Sequence, residues 1–378
     1  MNVSVSSLDV VPIQMGAGLV SITVFKTSTA VLTSMVLVVS LSSTVLNILN
    51  IYTFLNLQQN TVSICLISLA LSDLTSMLIL SNGSIITLIP AIFDVPWARN
   101  VPAFHFLLAL GHSLAMDMTS AITTYIAIQR GICVTLPFLA RNAFSKNTSL
   151  VVCVALFLTM LTLTLLRLTA FRLNSVPDPV NNSSTLLVIE YYESRAQFEY
   201  FYFIVMKTAL VFIEFGLMVV CTVAIYIGMQ SSMKLKDKTA SIQTHREIEP
   251  GSEASTTKRK IKDTKSKDDP QNATKDQPQA KKQTKESIVV KQSFMVVFIH
   301  VVLTTPRVLA CVYRLLDSRF RVGGQLHNLF IIIFSAINVI DAINAFVNFF
   351  VYVKFDARFR MLLLTKVCCR EPEMSKGS

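Results

Sequence analysis

Apolar residues gather in seven long blocks separated by short polar breaks. The blocks run over about Thr29–Leu55, Val62–Ile89, Ala103–Cys133, Leu150–Ala170, Phe201–Met229, Ile288–Val312 and Leu329–Tyr352. Each is long enough for a helix to cross a hydrocarbon core ~30 Å thick, which takes ~20 apolar residues. Strict alternation over segments of ~10 residues is absent, which argues against a β-barrel. The predicted fold class is an all-α membrane protein, a seven-transmembrane helix bundle. No internal repeat of the transporter kind is visible.

The polar breaks suggest the domain plan. Residues 1–28 precede the first block, 29–352 hold the bundle, and 353–378 form a tail. Between blocks five and six lies a different material, 230–287, rich in Lys, Thr, Ser, Asp and Gln. Such a composition buries too little apolar surface to offset ordering entropy, so a disordered cytoplasmic loop with two ordered ends is expected. Two roles stay open for it: a solvated spacer near anionic lipid, and a partner-docking segment with phosphorylated Ser/Thr beside basic residues. The tail "KFDARFRMLLLTKVCC" predicts a short amphipathic eighth helix lying on the bilayer. Phe355, Phe359 and Leu362 or Leu363 make its apolar stripe, with Arg358 and Lys366 beside the headgroups. Cys368 and Cys369 are candidate palmitoylation sites; two free thiols is the competing reading.

Composition agrees with lipid as solvent. The 378 residues are 52% hydrophobic and 15% charged, with mean hydropathy +0.55. A soluble domain is nearer a quarter charged. The net charge of +11 resides largely in the polar insert and tail, which points away from nucleic acid. Arginine and lysine in the short connections set orientation. The 3–4 connection holds Arg130, Arg141 and Lys146 without an acid, and the tail is basic. The 4–5 connection carries Asp178, Glu190 and Glu193 and no lysine. An extracellular N-terminus, a cytoplasmic C-terminus and a plasma-membrane location are expected. Sequons at Asn2, Asn181 and Asn182 then face the glycosylating side. Of seven cysteines, five fall in apolar blocks, so no extracellular disulfide framework is predicted. The N-terminus has no basic stretch before an apolar one, and no cleaved signal peptide is expected.

Ionisable groups inside a span cost roughly 2.5–3.5 kcal/mol on insertion scales, so each asks for a reason. Block two has Asp73, and block three has His112, Asp117 and Thr119. Block seven has Asp341, Asn344 and Asn348, whose spacing puts them on one helix face. Block one has Asn47. If these faces meet, they surround Asp73 with polar groups. Interhelical hydrogen-bond glue and a small cation-and-water site are both open. In block three, His112, Met116, Thr119, Thr123 and Arg130 follow one helical stripe. Lys207, Glu214, Arg307, Arg314 and Asp341 are candidate contacts for an amphoteric or peptide ligand; structural pairing is the competing account for each.

These residues resemble the rhodopsin-like (class A) G-protein-coupled receptors over about Thr29 to Cys369. The first-helix asparagine is matched by Asn47, and "LAxxD" by Leu69-Ala70-Leu71-Ser72-Asp73. Arg130 stands for the "DRY" arginine, Pro306 for the sixth-helix proline, and Asn348-Phe349-Phe350-Val351-Tyr352 for "NPxxY". Six residues then intervene before Phe359, as in the family's eighth helix. The texture of "LNILNIYTF" and "VNFFVYVKFDARFR" is also similar to divergent chemosensory-type receptors of molluscs and related invertebrates. The departures are Gln129 and Gly131 beside the arginine, His105 for the disulfide cysteine, Thr304 for the sixth-helix tryptophan, and Phe349 for the motif proline.

The resemblance implies a receptor, not an enzyme. It would bind an extracellular small-molecule or peptide ligand and promote GDP/GTP exchange on a heterotrimeric G protein. Arrestin and receptor kinases are implied as further partners. No cofactor is implied beyond a sodium ion at Asp73, Thr119, Asn344 and Asn348. Arg130, Glu286, Tyr226, Asn348 and Tyr352 take the switch and coupling positions, with an Arg130–Glu286 pair closing the resting state and a Tyr226–Tyr352 link in the active one. His112 occupies the third-helix position where amine receptors keep an aspartate. A chemosensory cue is the leading ligand reading and a neuropeptide the next. A seven-helix transporter or channel using Asp73, Asp117 and Asp341 is the competing class. No metal-ligand spacing or nucleophile–base set suggests a membrane enzyme.

Overall fold

The computed structural model describes residues 20–57, 60–93, 100–169, 171–177, 185–191, 207–247, 276–317, 319–321 and 324–366. The long helices are α1 (Ile22–Asn56), α2 (Thr61–Ile92), α3 (Val101–Thr135), α5 (Lys146–Leu168), α6 (Lys207–Glu247), α7 (Asp276–Leu316) and α8 (His327–Phe355). All seven contain a stretch long and apolar enough to cross a membrane, and the chain is a multi-pass membrane protein. The short α4 (Pro137–Ala143) follows α3, and α9 (Ala357–Lys366) follows α8 where the amphipathic tail helix was expected.

Two elements depart from expectation. The 4–5 connection, expected as plain loop in an all-α protein, contains an antiparallel hairpin, β1 (Phe171–Pro177) with β2 (Thr185–Tyr191). Its strands are too short to register as blocks, and β2 is rich in β-branched and aromatic residues. The Asn100 side chain accepts from Leu187 N at 2.9 Å, which ties the hairpin to the residue before α3. The two ordered ends expected of the insert 230–287 are helical, running to Glu247 and from Asp276. Helix propagation is locally favourable once a nucleus exists, so the spanning helices carry their register into the Lys/Gln-rich flanks. Helix α4 is the second departure; its proline sits at the first helical position, where a missing N–H costs nothing.

Helix α3 packs against α2, α5, α6 and α7 and is the axle of the bundle. Helix α1 packs against α2 and α8, and α7 bridges α6 to α8. Polarity in α1 is reversed relative to a soluble helix. Ser40, Ser43, Asn47, Asn50 and Thr53 are fully buried, while Val38, Val45, Ile48 and Leu55 face outward. Ser40 and Ser81 share a 2.8 Å hydrogen bond between α1 and α2. Asn47 donates to Ser43 O at 3.0 Å and reaches Ala345 O on α8 at 3.4 Å. Outward apolar side chains meet lipid tails, and the polar seam supplies the interhelical contacts.

The turn from α7 to α8 is built by short-range bonds. Arg319 donates to Asp317 from Nε at 2.9 Å and from Nη2 at 2.8 Å. That hydrogen-bonded guanidinium holds the Asp317 carboxyl below the usual carboxylate range. A side chain at Gly324 would stand 2.3 Å from Arg319 O, so only glycine fits. The turn thereby drops Phe320 between Tyr313 and Phe330, with ring centroids at 4.7 and 5.1 Å.

Candidate functional site

Three polar layers lie along the inner face of α3. The middle one is centred on Asp73 of α2, 1% exposed. Thr119 of α3 donates to its Oδ1 at 2.8 Å, and Asn348 of α8 donates to its Oδ2 at 3.0 Å. Thr119 also meets Ser72 Oγ at 3.1 Å, and Ser72 donates to Ala115 O at 2.7 Å. The one-face placement of Asp341, Asn344 and Asn348 is seen, with all three buried in α8. Asn344 does not reach Asp73 by a hydrogen bond. Its amide meets His300 Nδ1 of α7 at 3.1 Å, and Ser120 Oγ lies 3.4 Å from His300 Nε2. His300 escaped the sequence reading, although an ionisable ring inside an apolar block was the available signal. Asn344 Oδ1 is a buried acceptor without a partner among the described residues. Each Asp73 oxygen keeps an acceptor direction beyond the bond it accepts. Oxygen-only donors of this kind fit a hard monovalent cation such as sodium.

The second layer lies toward the hairpin end and is charged. Lys207 of α6 is 3.3 Å from Asp117 of α3 and donates to Ser113. Arg307 of α7 pairs with Asp341 of α8. His112 of α3 shares a 2.8 Å hydrogen bond with Ser76 through Nδ1. Its Nε2 is 3.8 Å from Asp341 Oδ2, beyond hydrogen-bond length. Met116, one turn further along α3, is buried. Glu214 of α6 is 8% exposed and within electrostatic reach of Asp117, Lys207 and Arg307. Thus His112, Lys207, Glu214, Arg307 and Asp341 converge, and four spanning helices contribute.

The third layer is at the α9 end. Arg130 is buried, and its Nε and Nη2 have no hydrogen-bond partner among the described residues. Gln129 beside it is buried, and the Gln292 amide nitrogen on α7 is also unpartnered there. Glu286 falls within α7, but its side chain lies outside the described part, as do the residues Asn2, Asn181, Asn182, Cys368 and Cys369. Tyr352 is buried against Phe54 and Phe359, with its hydroxyl unpartnered among the described residues. Tyr226 points away: it is 51% exposed and accepts from Gln230 at 2.9 Å, so no Tyr226–Tyr352 link exists in this arrangement.

Seven membrane-crossing helices around a continuous polar axis, ending in a buried arginine, define a heptahelical receptor architecture. The model of the seven transmembrane receptor (rhodopsin family) matches residues 43–352, and the chain belongs to that family. Comparison with curated proteins returns no significant match.

Proposed function

We propose that the chain is a plasma-membrane receptor that binds an extracellular ligand in the charged layer and promotes nucleotide exchange on a heterotrimeric G protein at the Arg130 end. Membership in the family supports a G-protein-coupled receptor. The observation that carries the coupling reading is Arg130: a buried guanidinium with two nitrogens unpartnered among the described residues, on the same helix as Asp117 and Thr119. A buried unpaired charge is costly, so the arrangement favours a state in which Arg130 gains acceptors. A helix inserted from a G-protein α-subunit would supply backbone carbonyls there. Lysine and arginine asymmetry supports a cytoplasmic Arg130 end.

For the ligand, a small chemical cue is the reading preferred over a peptide, in line with the invertebrate chemosensory resemblance. The charged groups lie within the bundle, Glu214 and Asp341 buried and Asp117, Lys207 and Arg307 half-buried, which suits a compact ligand. In the resting state Glu286 is the proposed partner of Arg130. The expected result is basal GTP-analogue binding that falls about tenfold or more in Arg130→Ala and rises in Glu286→Ala, on membranes with matched receptor and a panel of Gα subunits. Basal exchange indifferent to Arg130→Ala would overturn the coupling role, and exchange unchanged in Glu286→Ala would remove the latch.

Sodium is proposed as a modulator of the middle layer. Asp73, Thr119, Asn344 and Asn348 would supply its oxygens, and the bound charge would favour the packed arrangement of α2, α3 and α8. The melting temperature should rise with sodium chloride and not with choline chloride, and the difference should vanish in Asp73→Asn. A sodium response retained in Asp73→Asn would place the ion elsewhere.

A further inference from the structure

Among the described residues the charged layer does not balance. Three carboxylates enter it, on Asp117, Glu214 and Asp341, against two permanent cations, Lys207 and Arg307. Both cations are committed. Lys207 sits 3.3 Å from Asp117 and donates to Ser113. Arg307 donates to Asp341 through Nη2. Glu214 is the remainder. It is 8% exposed, and its carboxylate makes no hydrogen bond and no ion pair within 4 Å among the described residues. Asp117 repels it, while the attraction of Lys207 and Arg307 is shared with their own partners. Met218, one turn toward the α9 end on the same helix, is fully buried, so the neighbouring surface on that side is apolar. A lone carboxylate inside a spanning helix is costly unless a positive charge or a proton meets it.

From this we infer that Glu214 anchors a cation subsite, and that the ligand of the charged layer carries an ammonium or guanidinium group. The inference rests on reading that layer as the ligand site. It gives His112 a defined part. The imidazole is held by Ser76 at 2.8 Å and faces Asp341, so it offers a cation no formal counter-charge from α3. That task passes to α6. A purely anionic ligand is disfavoured, because it would bring a further negative charge to a layer whose cations are already paired. A ligand cation instead brings the count of carboxylates and positive groups to three each, without breaking either existing pair.

The test uses the full chain in phosphatidylcholine nanodiscs and reads thermal unfolding. The probes are phenethylammonium and agmatine, with 2-phenylethanol as the neutral counterpart. The expected result is a saturable rise in melting temperature with at least one cation and none with the alcohol. Apparent affinity should fall about tenfold or more in Glu214→Gln. Should Glu214→Gln fail to fold, Glu214→Asp keeps the charge on a shorter arm and should weaken the cation response without abolishing it. The inference is overturned if neither cation stabilises the wild type, if the alcohol acts equally, or if the response survives Glu214→Gln. It is also overturned if acidification alone reproduces the rise through Glu214 and no cation adds to it, for then the carboxylate takes a proton. Asp117, Lys207 and Arg307 face it from α3, α6 and α7 and would share that titration. Nucleotide exchange in the same samples separates the two readings. Cation stabilisation without exchange keeps the subsite and removes the signalling assignment; exchange without cation stabilisation does the reverse.

Discussion

Asp341→Leu is expected to destabilise the bundle by about 3–5 kcal/mol, because it strands Arg307 in the membrane interior. The two side chains are 19% and 7% exposed and pair across α7 and α8. Asp341 also faces His112 at 3.8 Å, so its loss loosens α3 as well. The pair itself is a different matter. Two desolvated charges gain little over well-packed apolar groups of similar volume, so Arg307→Met combined with Asp341→Leu should recover most of the loss. Thermal unfolding of the four proteins in nanodiscs gives the cycle. A single Asp341→Leu change costing under about 1 kcal/mol would mean that water reaches and screens the pair. Recovery of stability without recovery of ligand-dependent exchange would separate the pair's structural part from any part in ligand recognition.

Phe359→Ala is expected to release α9, at a cost of about 3–5 kcal/mol. The helix has ten residues, fewer than the ~12–15 an isolated helix needs to persist in water. Its buried anchor is Phe359, fully enclosed, with ring centroids 5.0 Å from Phe54, 5.9 Å from Tyr352 and 6.1 Å from Phe349. Asp356 caps the helix by accepting from Arg358 N and Phe359 N. Amide hydrogen exchange over 357–366 should become fast in Phe359→Ala while α8 stays protected, and Phe359→Leu should restore part of the protection. Unchanged protection in the alanine variant would show that lipid, not the aromatic socket, holds α9.

The sequence made the seven spans legible because each must offer lipid an apolar stretch, and lipid tolerates few substitutes for that. The polar axis was legible for a related reason: Asp73, Thr119 and Asn348 stand out in apolar surroundings, and periodicity puts Asp341, Asn344 and Asn348 on one face. Distances between faces were not legible. Asn344 was expected beside Asp73 and instead meets His300. Tyr226 was expected to link to Tyr352 in the active state; in this arrangement it sits one residue off the buried face of α6, marked by Glu214, Met218 and Ile225. That offset rotates a side chain by about 100°. The hairpin was hidden because seven-residue strands carry little periodic signal between two strong blocks. The ordered ends of the polar insert were legible but their helical extent was not, because composition reports the tendency of an isolated segment, whereas these ends grow from helices already held by the bundle.

Consider the reversed polarity of α1 once more. In a water-soluble protein, selection falls hardest on the apolar interior, since water punishes any polar intruder. Around α1 the solvent is as oily as the core, so exchanging one aliphatic residue for another at Val38, Val45 or Ile48 changes little. The positions with little freedom are Ser40, Ser43, Asn47 and Asn50, where size and hydrogen-bonding capacity set how close α2 and α8 can come. Sequence drift in this receptor would therefore run along its outer surface, and its identity would be written in small polar letters inside.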